Sequence, residues 1–483
     1  GEGSYMRRLG LFLLIACLVA SAGVRAQVLE YDVVVVGGGG AGLVAAAAAA
    51  EKGQQVLVLE KMAFVGGNTL VSGGVCNAVY PPWQEPLGIE DSIEFHYQQT
   101  LAGGDYRGNP DLIRVLVEGA PAALDRSRER GLTFHPDGVF QVLGALWPRT
   151  HRPMESAGTG WIRIYLEAAK KAGAHVLLNT RVIGLLRQEP LAGRVYGVKA
   201  ISSDGKQLEI HARKGVVLAT GGFGANVEMR TLHNPLLGPG FPTTNQPGTM
   251  GDGIIMAQDV GADVTGMDFI QLIPAGCPKT GALTGTVGAG IESSIMINKK
   301  GERFVNEGER RDVLSNAVFQ QPDGLYYTIN DSRVVPEVTS WGERPTDLVA
   351  EGRVFKAGTL KELAELIGVP AKALAATVAR YNESVRSGED RDFGKPAHLL
   401  KAAIEEPPFY AVPRVPSVHH TMGGVVINRH AQVIDRRGQV IPGLYAAGEV
   451  TGGIHGTNRL GGNAIADIAV FGWIAGENAA AGN

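Results

Sequence analysis

Cysteine is almost absent: Cys17, Cys76 and Cys277 are all that the 483 residues contain. Three thiols cannot build a disulfide framework. No C-x-x-C or C-x-x-C-H run is present, so neither a cysteine-ligated structural zinc nor an attached c-type haem is expected, and no metal site is assigned. Aromatic residues are sparse at 6%, too few for a base-stacking platform. Neither sign of charge dominates: 45 Lys and Arg nearly balance 48 Asp and Glu, for a formal charge of −3. That balance removes the basic footprint of a nucleic-acid binder. Charged residues make up only 19% and apolar residues 45%, which excludes a disordered polyelectrolyte and suffices for a large core.

Long apolar runs are lacking too. The main one, Leu9 to Ala22, has 14 residues, short of the ~20 that a membrane-spanning helix needs. It follows Met6-Arg7-Arg8 and precedes Ala-Gly-Val-Arg-Ala, the charged, apolar, small-residue order of a secretory signal with cleavage expected after Ala26. Gly1 to Tyr5 stand before it. The remaining chain, with a charge of −5, is expected to be exported to the periplasm. An alternative reading takes Leu14-Ile15-Ala16-Cys17 as a lipobox, with Cys17 as a lipid anchor.

Glycine, by contrast, is abundant: 67 residues, roughly twice the usual share, with no G-X-Y period. Its densest run is informative. Tyr31 to Val36 reads as a buried parallel strand, Gly37 to Gly42 as a turn, Leu43 to Lys52 as an Ala-rich helix closed by Gly53, and Gln55 to Leu59 as a second strand ending at Glu60. This βαβ unit places a G-x-G-x-x-G (Gly37, Gly39, Gly42) between strand and helix, and Glu60 follows Gly37 by 23 residues. A pyrophosphate must approach backbone amides at a helix start, and a Cβ would block it. Glu60 can accept from a ribose hydroxyl.

Further along, Lys214 to Thr220 reads as another strand, and Gly251-Asp252-Gly253 opens a helix over Ile254 to Val260. From about Met267 to Pro407 the pattern changes, with a hairpin over Ile295–Asn298 and Arg303–Val305 and mixed helices over Leu360–Ser387. α/β character then returns from Gly443, with a helix over Ala464–Ala475. The expected layout is a first part of one domain over 27–266, an inserted domain over 267–407, and the return of the first over 408–483. No second complete G-x-G-x-x-G follows a strand, so no nicotinamide domain is visible. Three polar clusters interrupt the apolar text: His419-His420-Thr421-Met422-Gly423-Gly424, His455 to Asn463, and Arg303 to Asp312. Paired glycines beside His and Arg describe an anion site, and Gly461-Gly462-Asn463 at a helix start could hold the electron-rich end of a flavin ring. Arg310-Arg311 among Glu307, Glu309 and Asp312 also reads as a solvated charged turn.

Several runs together resemble the soluble fumarate reductase flavoprotein family of flavocytochrome c type: GGGGAG, Glu60-Lys61, GGNT at Gly66–Thr69, SGG at Ser72–Gly74, ATGGFG, Ile297–Asp312, HHTMGGV from His419, and Leu444–Ala464. The resemblance covers Tyr31 to Asn483. It implies FAD in an α/β glutathione-reductase-like Rossmann domain, capped by an inserted α+β clamp domain. By position it implies flavin contacts at Gly37, Gly39, Gly42, Glu60, Asn68, Thr69, Gly73, Val182, Asp252, His420, Glu449, Ala464 and Ile465. It implies that His419 and Arg459 clamp a substrate carboxylate and that Arg311 delivers a proton to the reduced carbon–carbon double bond.

The chain departs from that family where the dicarboxylate reductases hold their second carboxylate. The His position is Ile273, the Glu position is Val287 or a neighbour, and the relay Arg position is Gly290 or Ala289. The expected substrate is therefore a monocarboxylate enoate with an apolar or aromatic tail. The same residues serve the oxidative direction, and Ser72-Gly73-Gly74 with Tyr80-Pro81 is mildly similar to 3-oxosteroid-type dehydrogenases, the alternative reading. The electron donor is expected to be a separate partner, such as a small cytochrome or quinone-linked protein.

Overall fold

The computed structural model describes residues 25–288 and 290–482. The leader and Cys17 lie outside the described residues, apart from Arg25 and Ala26. Among the described residues no helix is long and apolar enough to cross a membrane.

Val33 to Val36 are at most 3% exposed, so neither face of their strand meets water, the signature of a central parallel strand. Strand β1 (Gln27–Val36) pairs in parallel with β2 (Val56–Leu59), and β2 with β3 (His175–Leu177). On its other side β1 pairs in parallel with β4 (Gln207–Leu218), and β4 with β5 (Val440–Ala446). Antiparallel strands Thr180–Glu189, Ala192–Ser202 and Gln432–Ile434 extend this sheet to eight. The chain winds outward one way through β2 and β3, then the other way through β4 and β5. The winding reverses between β1 and β4, and ligands of such sheets bind outside the strand carboxyl ends at that reversal.

Helix α1 (Gly40–Glu51) is buried through Ala50. Its alanines serve more than helix–sheet packing. The last helix, Asn463–Ala481, lies against α1 so closely that a Cβ at Gly472 would stand 2.8 Å from the Ala41 carbonyl oxygen, and one at Gly476 2.3 Å from that of Ala45. This helix runs six residues past the expected Ala475 because its apolar, Ala-rich face stays buried to Ala480.

A second sheet of five strands is built around the long strand Phe409–Thr421. Its first half pairs with Tyr326–Asp331 and Phe355–Ala357, and its second half with Ile270–Gly276. A separate apolar cluster, including Ile295, Ile329, Leu363, Leu374, Tyr381 and Ala411, joins this sheet to helices Leu360–Ile367 and Ala371–Ser387. The expected hairpin shrinks to a three-residue strand, Ile295–Ile297, with one bridge from Ile297 to Arg303. The sheet thus continues past residue 407, and Phe409–Thr421 carries His419 and His420 back to the junction with the first sheet.

Candidate active site

A cleft of about 1270 Å³, its mouth included, opens where the parallel strands end; Val36, Leu59, Ala219 and Ala447 line it from four strand termini. Gly37 sits at the winding reversal with φ +105°, and a Cβ there would lie 2.3 Å from the Ala219 carbonyl oxygen. Helix α1 begins after Gly39 with no side chain capping its amides, and the Asn463–Ala481 helix begins after Gly462 in the same uncapped way. Two positive helix ends are thus open to an anionic or electron-rich ligand.

Most of the expected flavin contacts converge here. Gly37, Gly39, Glu60, Asn68, Thr69, Val182, Asp252, His420, Glu449, Ala464 and Ile465 all line the cleft. Glu60 accepts from the amides of Gly38 (3.4 Å) and Met62 (3.2 Å), which leaves carboxylate lone pairs for a ribose hydroxyl. Asn68 is fixed by Asn245 (2.7 Å) and by the Gln246 amide (3.0 Å). Asp252 is held by Lys61 at 3.0 Å. Two expected contacts lie elsewhere. Gly42 does not line the cleft; a Cβ on it would reach within 1.9 Å of the Gly37 carbonyl oxygen, so its bareness lets α1 close onto the turn. Gly73 lines a neighbouring cavity instead. The Asn463 side chain is consumed internally by Asn77 (2.9 Å), His96 (3.0 Å) and Thr100 (3.1 Å), so only the helix start itself remains for a ligand.

The residues fit FAD. Thr220 Oγ1, His420 Nδ1, Arg459 Nε and Asp467 Oδ1 are buried without a hydrogen-bond partner, and all four residues line the cleft. Buried polar atoms are rarely left bare, and a dinucleotide with a polar ring edge would satisfy them. Glu449 accepts from the Gly222 and Thr421 amides, and burial pushes its carboxyl up to about 7.

The neighbouring cavity shares His419, Arg459, Ala464 and Ile465 with the cleft, and Arg311 joins its wall. Arg310 and Arg311 part company. Arg310 pairs with Asp105 (2.7 Å) and Asp312 (2.7 Å) near the surface, as the charged-turn reading describes. Arg311 is 5% exposed, and its Nε donates to the Leu143 carbonyl at 3.0 Å. Its approach is set from behind by Arg303, which is buried and paired with both Glu307 and Asp390, fixing the segment that feeds the helix Arg311–Phe319. Gly144, with φ +77°, leaves the room; a Cβ there would sit 2.6 Å from Arg311 Cγ.

Neither Arg311 nor Arg459 makes an ion pair with a described residue. Arg459 Nη1 donates to the Leu460 carbonyl (3.2 Å), and burial lowers its guanidinium to about 10. Burial, and then the Arg459 charge, hold Arg311 well below the ordinary arginine value. Burial and the two arginines keep His419 well below 6.5, hence neutral. Its Nδ1 is 2.7 Å from Thr244 Oγ1, which leaves Nε2 for the cavity. Two residues without an expected role complete the site. Gln271 donates to the Arg459 carbonyl (2.7 Å) and accepts from Arg311 Nη1 (3.5 Å). Asp467 holds His455 at 2.9 Å, and His455 meets the His420 ring edge-on at 5.5 Å. No local pattern marks Gln271; only its place in the strand Ile270–Gly276 aims it inward.

This architecture and its cleft define a flavoprotein. Comparison with known proteins agrees: residues 32–465 match the FAD binding domain family model. The NADH:acrylate oxidoreductase of Vibrio harveyi is 39% identical over 89% of this chain and 48% of its own length. The urocanate reductase of Eggerthella lenta is 40% identical over 89% of this chain and 71% of its own. The open conformation of a flavocytochrome c3 fumarate reductase superposes with a TM-score of 0.71 at 36% identity, covering 94% of this chain and 78% of that one. A 3-ketosteroid-Δ4-(5α)-dehydrogenase from Rhodococcus jostii does so with a TM-score of 0.70 at 27% identity, over 95% and 99%. The chain belongs to the fumarate reductase flavoprotein family, whose cofactor is FAD, and it spans about half the length of the first curated relatives it matches.

Proposed function

We propose that this chain reduces the carbon–carbon double bond of an α,β-unsaturated monocarboxylate. One observation carries the reading: two buried guanidiniums, Arg311 and Arg459, face one cavity beside the flavin cleft with no carboxylate partner. Burying an unpaired cation costs several kcal/mol, of order, so such a pair is built to receive an anion. A neutral steroid would leave Arg311 with no counter-charge and Arg459 with only the partial support of Glu449 and Asp467, which disfavours the steroid alternative despite the shared fold.

The chemistry that bound FAD supplies is hydride transfer to the substrate β-carbon. Arg459 grips the substrate carboxylate, with the neutral His419 as a further polar contact. As negative charge develops on the α-carbon and carboxylate, Arg459 and Arg311 neutralise it; such a preorganised donor is typically worth about 10²–10³ in rate. Arg311 then gives a proton from its guanidinium to the α-carbon. An ordinary arginine is a poor acid, and here burial beside Arg459 makes this one readier to release the proton. Gln271 holds Arg311 and the Arg459 backbone at a fixed spacing.

The restriction to one carboxylate rests on the far wall. Ile273 is 4% exposed and lines the cavity where the dicarboxylate reductases carry a His. Val287 is turned away among Leu348, Val354, Tyr410 and Val412, while Gly288 and Gly290 present only backbone. Steady-state turnover with reduced viologen as donor should give a higher kcat/KM for monocarboxylate enoates than for fumarate. A fumarate value above every monocarboxylate tested contradicts the reading. The donor in the cell is a separate electron-transfer protein, and export by the Met6–Ala26 signal places the enzyme in the periplasm; robust NADH oxidation by the pure chain, or its recovery from the cytoplasmic fraction, would overturn these two parts.

A further inference from the structure

Two half-buried charged side chains of the substrate cavity, Arg152 and Glu292, have neither a hydrogen bond nor an ion pair with a described residue, whereas Asp137 and Lys401 on its rim are exposed to water. Arg152 lines it, lies 4.3 Å over the Phe140 ring, and makes no hydrogen bond or ion pair with a described residue; its Nε is buried and bare. Glu292 lines the same cavity, and its Oε2 is likewise buried and bare. The two form no ion pair; burial lowers the Arg152 guanidinium, and the Glu292 carboxylate offsets part of that. Glu292 also explains the glycine at position 290. A Cβ on Gly290 would stand 2.5 Å and 2.6 Å from the Glu292 carboxylate oxygens, so the acid folds over bare backbone at one of the two positions, Gly290 or Ala289, that match the relay Arg of the family's dicarboxylate reductases.

We propose that Arg152 and Glu292 form the far end of the substrate site and select an enoate whose β-substituent ends in a neutral group that both donates and accepts a hydrogen bond, such as a carboxamide or phenol. The inference rests on the monocarboxylate reading and refines its tail. Arg152 alone would favour a second carboxylate, but Glu292 on the same wall opposes that charge. A plain hydrocarbon tail would desolvate both ions and pair neither, which is costly. A neutral donor–acceptor group satisfies both: Arg152 donates to its oxygen and Glu292 accepts its N–H or O–H. The Phe140 ring, with Val142 and Ile273, gives the tail an apolar passage to them. A site built to hydrogen-bond a substrate rejects the analogue that lacks the group, by as much as 10⁴–10⁵ where burial is complete. For this cavity, whose lining includes the exposed Asp137 and Lys401, about tenfold to a hundredfold is expected.

The test compares four probes on the FAD-loaded protein: cinnamate, 4-methylcinnamate, 4-hydroxycinnamate and 4-carbamoylcinnamate. Each is measured by kcat/KM with reduced viologen and by Kd from the flavin absorbance change of the oxidised protein. At least one hydroxy or carbamoyl probe should exceed 4-methylcinnamate about tenfold in both quantities, mostly through KM. Glu292→Gln and Arg152→Gln should each bring that ratio to within about threefold of unity. Equal values for all four probes overturn the proposal, as does a ratio that survives both substitutions. A loss shared equally by all probes marks the two residues as structural and also overturns it. If fumarate outperforms every cinnamate, the monocarboxylate reading falls; if the cinnamates outperform fumarate without a donor–acceptor advantage, only the present inference falls.

Discussion

The flavin cleft and the substrate cavity touch at His419 and Arg459 but are built differently. The cleft is a backbone site: two uncapped helix ends, a Gly37 turn pressed against Ala219, and strand termini from one sheet. The cavity is a side-chain site, assembled from Arg311 on one helix, His419 on the long strand and Arg459 in a loop, with Gln271 on a neighbouring strand tying the two arginines together from outside it. A backbone site tolerates almost no added atom but is indifferent to most side chains around it. A side-chain site keeps its shape when one residue is changed and loses one function at a time.

That contrast can be broken most sharply at Gly37. Gly37→Val puts a branched side chain at φ +105° against the Ala219 carbonyl, and the purified protein should lose its visible flavin absorbance altogether. Retention of stoichiometric FAD would mean that the cleft is not backbone-limited. Arg459→Ala should act oppositely: the protein stays yellow, while kcat/KM for carboxylate substrates falls about 10²–10³-fold in steady-state assays.

The next effect is on stability and concerns the seam. Burial lifts the Glu449 carboxyl to about 7 from its ordinary 4.5, so the folded chain keeps a proton that the unfolded chain has already released. This contribution is fully present below about 4.5 and is lost as pH rises through about 7. Denaturant titrations of FAD-free protein should therefore show the stability of the native chain, relative to Glu449→Gln, declining by about 3 kcal/mol across that window. A pH-independent difference would mean that burial does not hold the Glu449 proton in the folded chain. The smallest expected change is at Gln271. Gln271→Leu removes the tie between Arg311 and the Arg459 backbone, and kcat should drop about tenfold with FAD content unchanged.

How far each region can be read in the sequence follows from the same contrast. The βαβ turn was legible because a backbone site must write its glycines and its strand next to one another, Gly37 to Glu60 in one stretch. Gly42 fell in the right motif but serves α1 packing, since spacing alone does not separate a glycine that admits a ligand from one that admits a helix. Arg311, His419 and Arg459 came from resemblance to a family, and nothing within each segment says that a strand, a helix and a loop meet. Gln271, Thr244, Asp467, Arg152 and Glu292 carried no signal at all, because each takes its role from neighbours that only the fold brings together, as Gln271 does from the Arg459 carbonyl and Thr244 from His419. The absences at Ile273 and Val287 were visible in the text, but only the structure shows Val287 turned out of the cavity and the Glu292 carboxylate folded over Gly290.

The central claim is that paired buried guanidiniums grip one carboxylate beside the double bond that is reduced. It is tested most directly by mixing anaerobically reduced, FAD-loaded protein with cinnamate or with its methyl ester and following flavin reoxidation in a single turnover. Reoxidation by the acid at least 10²-fold faster than by the ester is the expected result, in line with the worth of such a donor. An ester that reoxidises the flavin as fast as the acid would contradict the account.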